Sequence, residues 1–167
     1  DATVDIISGK VNPSAKLPFT YPKYPAGNTT YDHKPIEAYE DVWSFPQWNF
    51  GYGLSYTSYS YENLEVSNAD SINDTIKVSV EVSNTGDREG KEIVELYIRD
   101  VYGSVSRPVK QLKGFQKIDL KPGEKKTVNF ILTPDQLSFH NRENIKTIEP
   151  GEFWIMIENL TQKIILN

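Results

Sequence analysis

Glu37, Glu40 and Asp41 form the compact acidic cluster outside the strand-like stretches of this chain. Paired carboxylates can carry hydrolytic acid/base work, provided burial holds one carboxyl protonated while the other stays ionised. Three acids on a polar loop meet neither condition, and their reading is a solvated surface. The two histidines, His33 and His140, stand far apart and form neither an H-x-x-x-H nor an H-x-E pattern. Metal binding needs convergent ligands, so surface or hydrogen-bonding roles are expected and no metal site. Ser55 sits in Gly53-Leu54-Ser55-Tyr56-Thr57, which lacks the second glycine of a nucleophile elbow. A structural hydroxyl bonding a nearby backbone group is expected there. Arg107 could clamp a carboxylate with its planar fork, and a salt bridge at a sheet edge or domain contact is the simpler expectation.

Binding chemistry concentrates in QWNFGYGLSYTSYSY, residues 47–61, where Trp48, Phe50, Tyr52, Tyr56, Tyr59 and Tyr61 surround Gly51 and Gly53. Flat rings could cover the apolar faces of pyranoses. The same rings could pack one piece of protein against another, with the glycines allowing close backbone approach and tight bends. The glycines tilt the reading towards packing, by Phe50, Tyr52, Leu54, Tyr56 and Tyr59. Trp43 and Trp48 remain as candidate substrate-binding residues.

These residues need a scaffold. The chain has 167 residues, 38% hydrophobic and 25% charged, enough for one good core. A net charge of −5 and the absence of a Lys/Arg run exclude a track for nucleic acid. No apolar run is long enough to span a bilayer as a helix. Cysteine is absent, which removes disulfides and thiolate metal sites. The first residues, DATVDIISGK, carry neither an initiator Met nor a signal peptide, so either something was removed in front or this is a piece of a longer protein. Sequons at Asn28, Asn73 and Asn159 are short enough to arise by chance.

From about Ser60 the pattern has period two. Ile76, Val78, Val80 and Val82 alternate with Lys77, Ser79, Glu81 and Ser83, similar runs follow in KEIVELYIRD, KTVNFIL and GEFWIMIE, and QKIILN reads as a last strand. Lys121-Pro122-Gly123-Glu124 and Glu149-Pro150-Gly151-Glu152 read as type II turns. About seven short strands without helical period predict an antiparallel β-sandwich of the immunoglobulin or fibronectin type III kind, the latter favoured by the missing Cys pair. Residues 1–57 read differently. Val4, Ile7 and Gly9 suggest a helix end with Gly at C′, KLPFTYP a short extended piece, and Pro22 to Pro46 an irregular stretch. The division expected is 1–57, the tail of an upstream α/β unit with a linker, and 58–167, the sandwich. Val4, Ile6, Ile7, Leu17 and Phe19 are expected to lie on the sandwich or on a neighbouring chain.

Several segments resemble the C-terminal region of family 3 glycoside hydrolases, the β-glucosidase and β-xylosidase type. GKVNPSAKLPFTYP is similar to the segment that closes the family's α/β sandwich domain, and YDHKP to the run that follows it. FGYGLSYTSYSY resembles the entry to the last domain; VSNTGDREGKEIVELYIRD, SRPVKQLKGFQKIDLKPGE and EPGEFWIMI resemble parts of its fibronectin type III-like domain. The stretch IEAYEDVWSFPQWN is shorter than the family's usual segment there. The resemblance implies a parent that cleaves terminal β-linked sugars with retention, through two carboxyls about 5 Å apart. It places the nucleophile and the acid/base upstream, so no catalytic residue and no cofactor is expected in this chain. The implied partners are the upstream catalytic domains and, through them, carbohydrate; the implied location is periplasmic or extracellular.

Overall fold

The computed structural model describes residues 2–25, 29–30 and 46–167. Seven strands make the body: β3 (Tyr59–Val66), β4 (Ile76–Asn84), β5 (Gly90–Asp100), β6 (Gln111–Leu120), β7 (Lys125–Leu132), β10 (Gly151–Ile157) and β11 (Leu160–Leu166). They form an antiparallel three-stranded sheet, β3-β4-β7, and a four-stranded one, β11-β10-β5-β6. In β4 the alternation expected from sequence holds, with Ile76, Val78, Val80 and Val82 buried. They meet Val94, Leu96 and Ile98 of β5 and Phe153, Ile155 and Ile157 of β10 in one core. Around this body lie a short helix α2 (Pro134–Leu137) and the small pair β8 (Phe139–His140) and β9 (Lys146–Thr147). The chain is thus mainly β, a fibronectin type III-like sandwich, preceded by a segment with one short helix.

β6 escaped the alternation rule for a visible reason. Its strongest hydrophobe, Phe115, points outward and is 67% exposed. Gly114 faces the core instead, and a Cβ there would come within 3.2 Å of the Phe130 ring. The two edge strands β6 and β7 sit side by side without backbone pairing and are stitched by side chains. Gln116 donates to the Asn129 carbonyl, Lys126 to the Asp119 carbonyl, and Gln136 to the Lys113 carbonyl at 2.9 Å. Such capping blunts edges that would otherwise template aggregation.

Of the two expected type II turns, one is present. Gly123 has φ 72° and the Glu124 N–H donates to the Lys121 carbonyl at 2.9 Å. The other is not: Gly151 is extended, opens β10 and pairs with Leu166, so sheet pairing overrides the Pro-Gly signal.

The N-terminal arm comprises α1 (Ala2–Ile7), β1 (Tyr21–Pro22) and β2 (Pro46–Trp48). Gly9 takes the expected left-handed C′ position, with φ 74° and its N–H on the Ile6 carbonyl. The arm's apolar residues, expected on the sandwich or on a neighbouring chain, are not buried on the sandwich. Val4 is 60% exposed and Ile7 77%; Ile6 and Phe19 are exposed as well, and Leu17 is half-buried. Polar contacts hold the helix in place of apolar burial: the Tyr56 hydroxyl donates to the Ile6 carbonyl at 2.9 Å, and Arg88 to the Gly9 carbonyl.

Ile155, fully buried between the sheets, sets the scale of core packing. Ile155→Ala is expected to lower the unfolding free energy by about 2–5 kcal/mol in urea titration.

Candidate functional site

The functional surface is built where the arm folds back on the sandwich. Residues 14–22 and 46–53 make a narrow antiparallel ribbon in which Tyr21 pairs with Trp48 and Lys16 bridges to Gly53. The Leu17 N–H donates to the Tyr52 carbonyl and the Gly51 N–H to the Leu17 carbonyl, each at 2.8 Å. Both glycines of the aromatic stretch meet a close approach. A Cβ on Gly53 would stand 2.5 Å from the Ala15 carbonyl oxygen. Gly51, at φ 80°, leaves room for the Tyr97 hydroxyl and the Glu95 carboxylate, 2.6 and 2.7 Å from where its Cβ would be.

Two polar knots fasten the ribbon. In the first, the Asn12 carboxamide oxygen accepts from the Tyr56 N–H at 2.8 Å and from the Ser55 hydroxyl at 3.1 Å, and its amide donates to the Glu89 carbonyl at 3.3 Å. The Ser55 oxygen accepts in turn from the Thr57 N–H, which is the structural role expected of it. The Thr57 hydroxyl reaches buried Asn84 at 2.7 Å, whose amide donates to the Arg88 and Leu120 carbonyls. In the second knot, Lys16 pairs with Glu92 at 2.9 Å, and the Tyr61 hydroxyl donates to Glu92 at 2.7 Å. Beside it Tyr97 donates to Glu95 at 2.9 Å, with the Lys110 ammonium 4.1 Å from the Tyr97 ring centre.

The second knot is largely withdrawn from water, and its proton affinities show it. Burial, with nearby carboxylates, drives the Tyr61 and Tyr97 hydroxyls far above the usual phenol range. Burial raises the Glu95 carboxyl against the pull of Tyr97, Lys16 and Lys110, and lowers the Lys110 ammonium. Sequence reasoning missed this group, because Glu95 and Tyr97 alternate with core residues and read as a solvent face. The arm covers that face.

Outside the ribbon four rings follow one another. Phe19 and Tyr21 lie 6.1 Å apart, Tyr21 and Trp48 5.2 Å, and Trp48 and Tyr52 6.0 Å in a stacked pair. All four are exposed, as are Leu54 and Tyr56, whose ring lies under the Arg88 guanidinium at 5.6 Å. Phe50 and Tyr59 turn the other way: Phe50 meets Tyr97 edge-on at 6.5 Å, and Tyr59 packs against the core.

The remaining candidates are scattered. Trp43, Glu37, Glu40, Asp41, His33 and Asn28 lie outside the described residues. His140 is exposed on β8. Arg107 pairs with Asp100 at 3.2 Å at the end of β5, both largely buried, and its guanidinium lies 4.3 Å from the Phe139 ring centre. Burial raises the Asp100 carboxyl, and Arg107 offsets part of that rise. Among the described residues no three His, Asp or Glu side chains converge as a metal site.

An antiparallel seven-strand sandwich with this topology defines a fibronectin type III-like module, and residues 92–160 match the fibronectin type III-like domain family. Over a longer span the chain is 43% identical to a β-xylosidase of Formosa agariphila, covering 94% of this chain and 23% of that protein. It is 41% identical to a periplasmic β-glucosidase of Salmonella typhimurium, covering 94% and 22%. A β-glucosidase structure from Erythrobacter marinus superposes with a TM-score of 0.84 at 38% identity, covering 99% of this chain and 23% of that one. The chain belongs to the C-terminal region of the family 3 glycoside hydrolases, the β-glucosidase and β-xylosidase type, and carries its fibronectin type III-like domain. It spans about a fifth of the length of the curated relatives it matches.

Two outcomes follow from the geometry. Gly53→Ala drives a methyl into the Ala15 carbonyl, so amide exchange at Leu17 and Gly51 is expected to accelerate while β4 and β10 stay protected. For Glu95, a folded-state carboxyl raised above 4.5 stabilises the fold fully below that pH. The contribution is lost as pH rises through the folded value. Glu95→Gln, which still accepts from Tyr97, is therefore expected to melt no lower than wild type at neutral pH. Any advantage it has is expected to shrink towards pH 4.5.

Proposed function

We propose that the chain is a non-catalytic structural module of a family 3 β-glycosidase, stabilising the catalytic domains by packing against them. In this reading residues 1–57 are the tail of the α/β sandwich domain with its linker, and residues 58–167 are the buttress. The catalytic domains hydrolyse terminal β-linked glucose or xylose residues with retention, using two carboxyls about 5 Å apart that lie outside this chain. We place the whole enzyme in the periplasm or outside the cell, as for the Salmonella relative.

The observation that carries the reading is the outward face of the arm. Phe19, Tyr21, Trp48, Tyr52, Leu54 and Tyr56 are exposed together, with Val4 and Ile7 of α1 exposed nearby in sequence. Monomers rarely expose contiguous apolar patches larger than a few hundred Å². Relatives about five times longer have the mass to cover such a face. Phe50 and Tyr59 serve the inner side of the same joint, against the sandwich. A second reading rests on the exposed rings alone: a carbohydrate-binding face using Trp48, with Trp43 as the other candidate.

Purified chain incubated with aryl β-glucoside and aryl β-xyloside is expected to give no turnover; turnover tracking the protein would refute a non-catalytic module. Added to the separately produced catalytic domains, the chain is expected to raise their melting temperature, and Leu54→Asp to lose most of that gain. If oligosaccharide instead quenches tryptophan fluorescence in wild type but not in Trp48→Ala, and melting is unchanged, the second reading replaces the first.

A further inference from the structure

Between the ribbon and the sandwich lies an open cavity of about 340 Å³, lined chiefly by Lys16, Tyr52, Ser55, Thr57, Glu92 and Glu158. We propose that this cavity binds a single neutral sugar ring, beside the exposed ladder of rings, with which it shares Tyr52.

Its size sits at the small end of ligand pockets, roughly 300–1,000 Å³, and suits one pyranose. Its charge is balanced. The cations Lys16 and Lys91 face the carboxylates Glu92 and Glu158, and Lys91 is already held 3.0 Å from Asp119. A charged ligand gains little from such a wall, whereas a ring of hydroxyls finds both acceptors and donors. Glu92 takes Lys16 and Tyr61 on Oε1 alone, leaving Oε2 without a hydrogen-bond partner among the described residues. The Lys16 ammonium uses one of its three donors on that pair. Tyr52 offers a flat, exposed ring at the mouth for the C–H face of a pyranose.

Glu158, which also supports the half-buried Lys110 ammonium, adds a second observation. It is the first of the two residues linking β10 to β11, and it stands at φ 53°. Two-residue hairpins require a positive φ and are served by Gly, Asn or Asp. Here a Glu occupies the position, and its carboxylate borders the cavity and the small recess behind it, beside Tyr61, Glu95, Tyr97 and Lys110. A left-handed glutamate there adds a carboxylate acceptor to a lining that already holds the Lys16 ammonium as donor.

The site shares Tyr52 and Leu54 with the outward face of the arm, so it is tested in the chain alone, where that face is uncovered. The test is an amide-shift NMR titration of the chain with glucose and xylose, and with glucuronate and glucosamine as charged counterparts. Neutral sugars are expected to give saturable shifts at Gly51, Gly53 and Ser55, with a dissociation constant of about 1–10 mM, and the charged sugars weaker ones. Glu158→Gly relieves the positive φ, so it is expected to melt no lower than wild type while binding about tenfold more weakly. Glu158→Asn checks the same loss with a second residue that tolerates this backbone. Shifts that do not saturate, shifts confined to other residues, or full affinity in both variants would overturn the site.

Discussion

The arm is attached to the sandwich by polar contacts, and the remaining features of the surface depend on that fact. Asn12 satisfies the backbone at Tyr56 and Glu89 together, and Lys16 carries its charge to Glu92 across the joint. Buried polar groups with partners fix geometry more sharply than apolar contacts do, since leaving one unsatisfied costs about 1–3 kcal/mol. The ribbon therefore has one register. With the inner side supplied by Asn12, Ser55, Lys16 and two glycines, the arm has no need to bury its rings inward. Phe19, Tyr21, Trp48 and Tyr52 are left on the outside, tilted against one another except for the stacked Trp48–Tyr52 pair.

The sandwich holds this arrangement up. Its core is a conventional two-sheet packing of β-branched and aromatic residues, and its edge strands are capped by Gln116, Lys126 and Gln136. Rigidity matters because the joint uses positions on several strands: Tyr61 on β3, Asn84 on β4, and Glu92, Glu95 and Tyr97 on β5. A shift of one strand by one residue would send these groups to the opposite face. Gly51 and Gly53 then set how near the ribbon can come, and their missing side chains are occupied by Tyr97, Glu95 and the Ala15 carbonyl.

Much of this was legible in the sequence. Alternation located β4, β5, β7 and β10, because most of their inward positions are Val, Ile, Leu or Phe. β6 was hidden by Gly114 facing in and Phe115 facing out, an inversion that only the bulky Phe130 ring opposite explains. Gly9 and Gly123 took the backbone their neighbours demanded; Gly151 did not, because strand pairing with Leu166 outweighed its turn chemistry. The glycines of the aromatic stretch announced a close approach but not its partners. The Glu95–Tyr97 pair was invisible for a different reason. Charged residues on a strand's outer face look solvated until a distant segment covers them, and nothing local records that cover.

The central claim is that the outer rings of the arm are a docking face for the catalytic domains. Hydroxyl-radical footprinting of Tyr21, Trp48 and Tyr52 tests it, in the chain alone and in the chain joined to those domains. Tyr102, exposed on the loop after β5, provides the internal reference. The account predicts strong protection of the three arm rings on joining, with Tyr102 equally reactive in both. Unchanged oxidation of Tyr21, Trp48 and Tyr52 in the joined protein would contradict it.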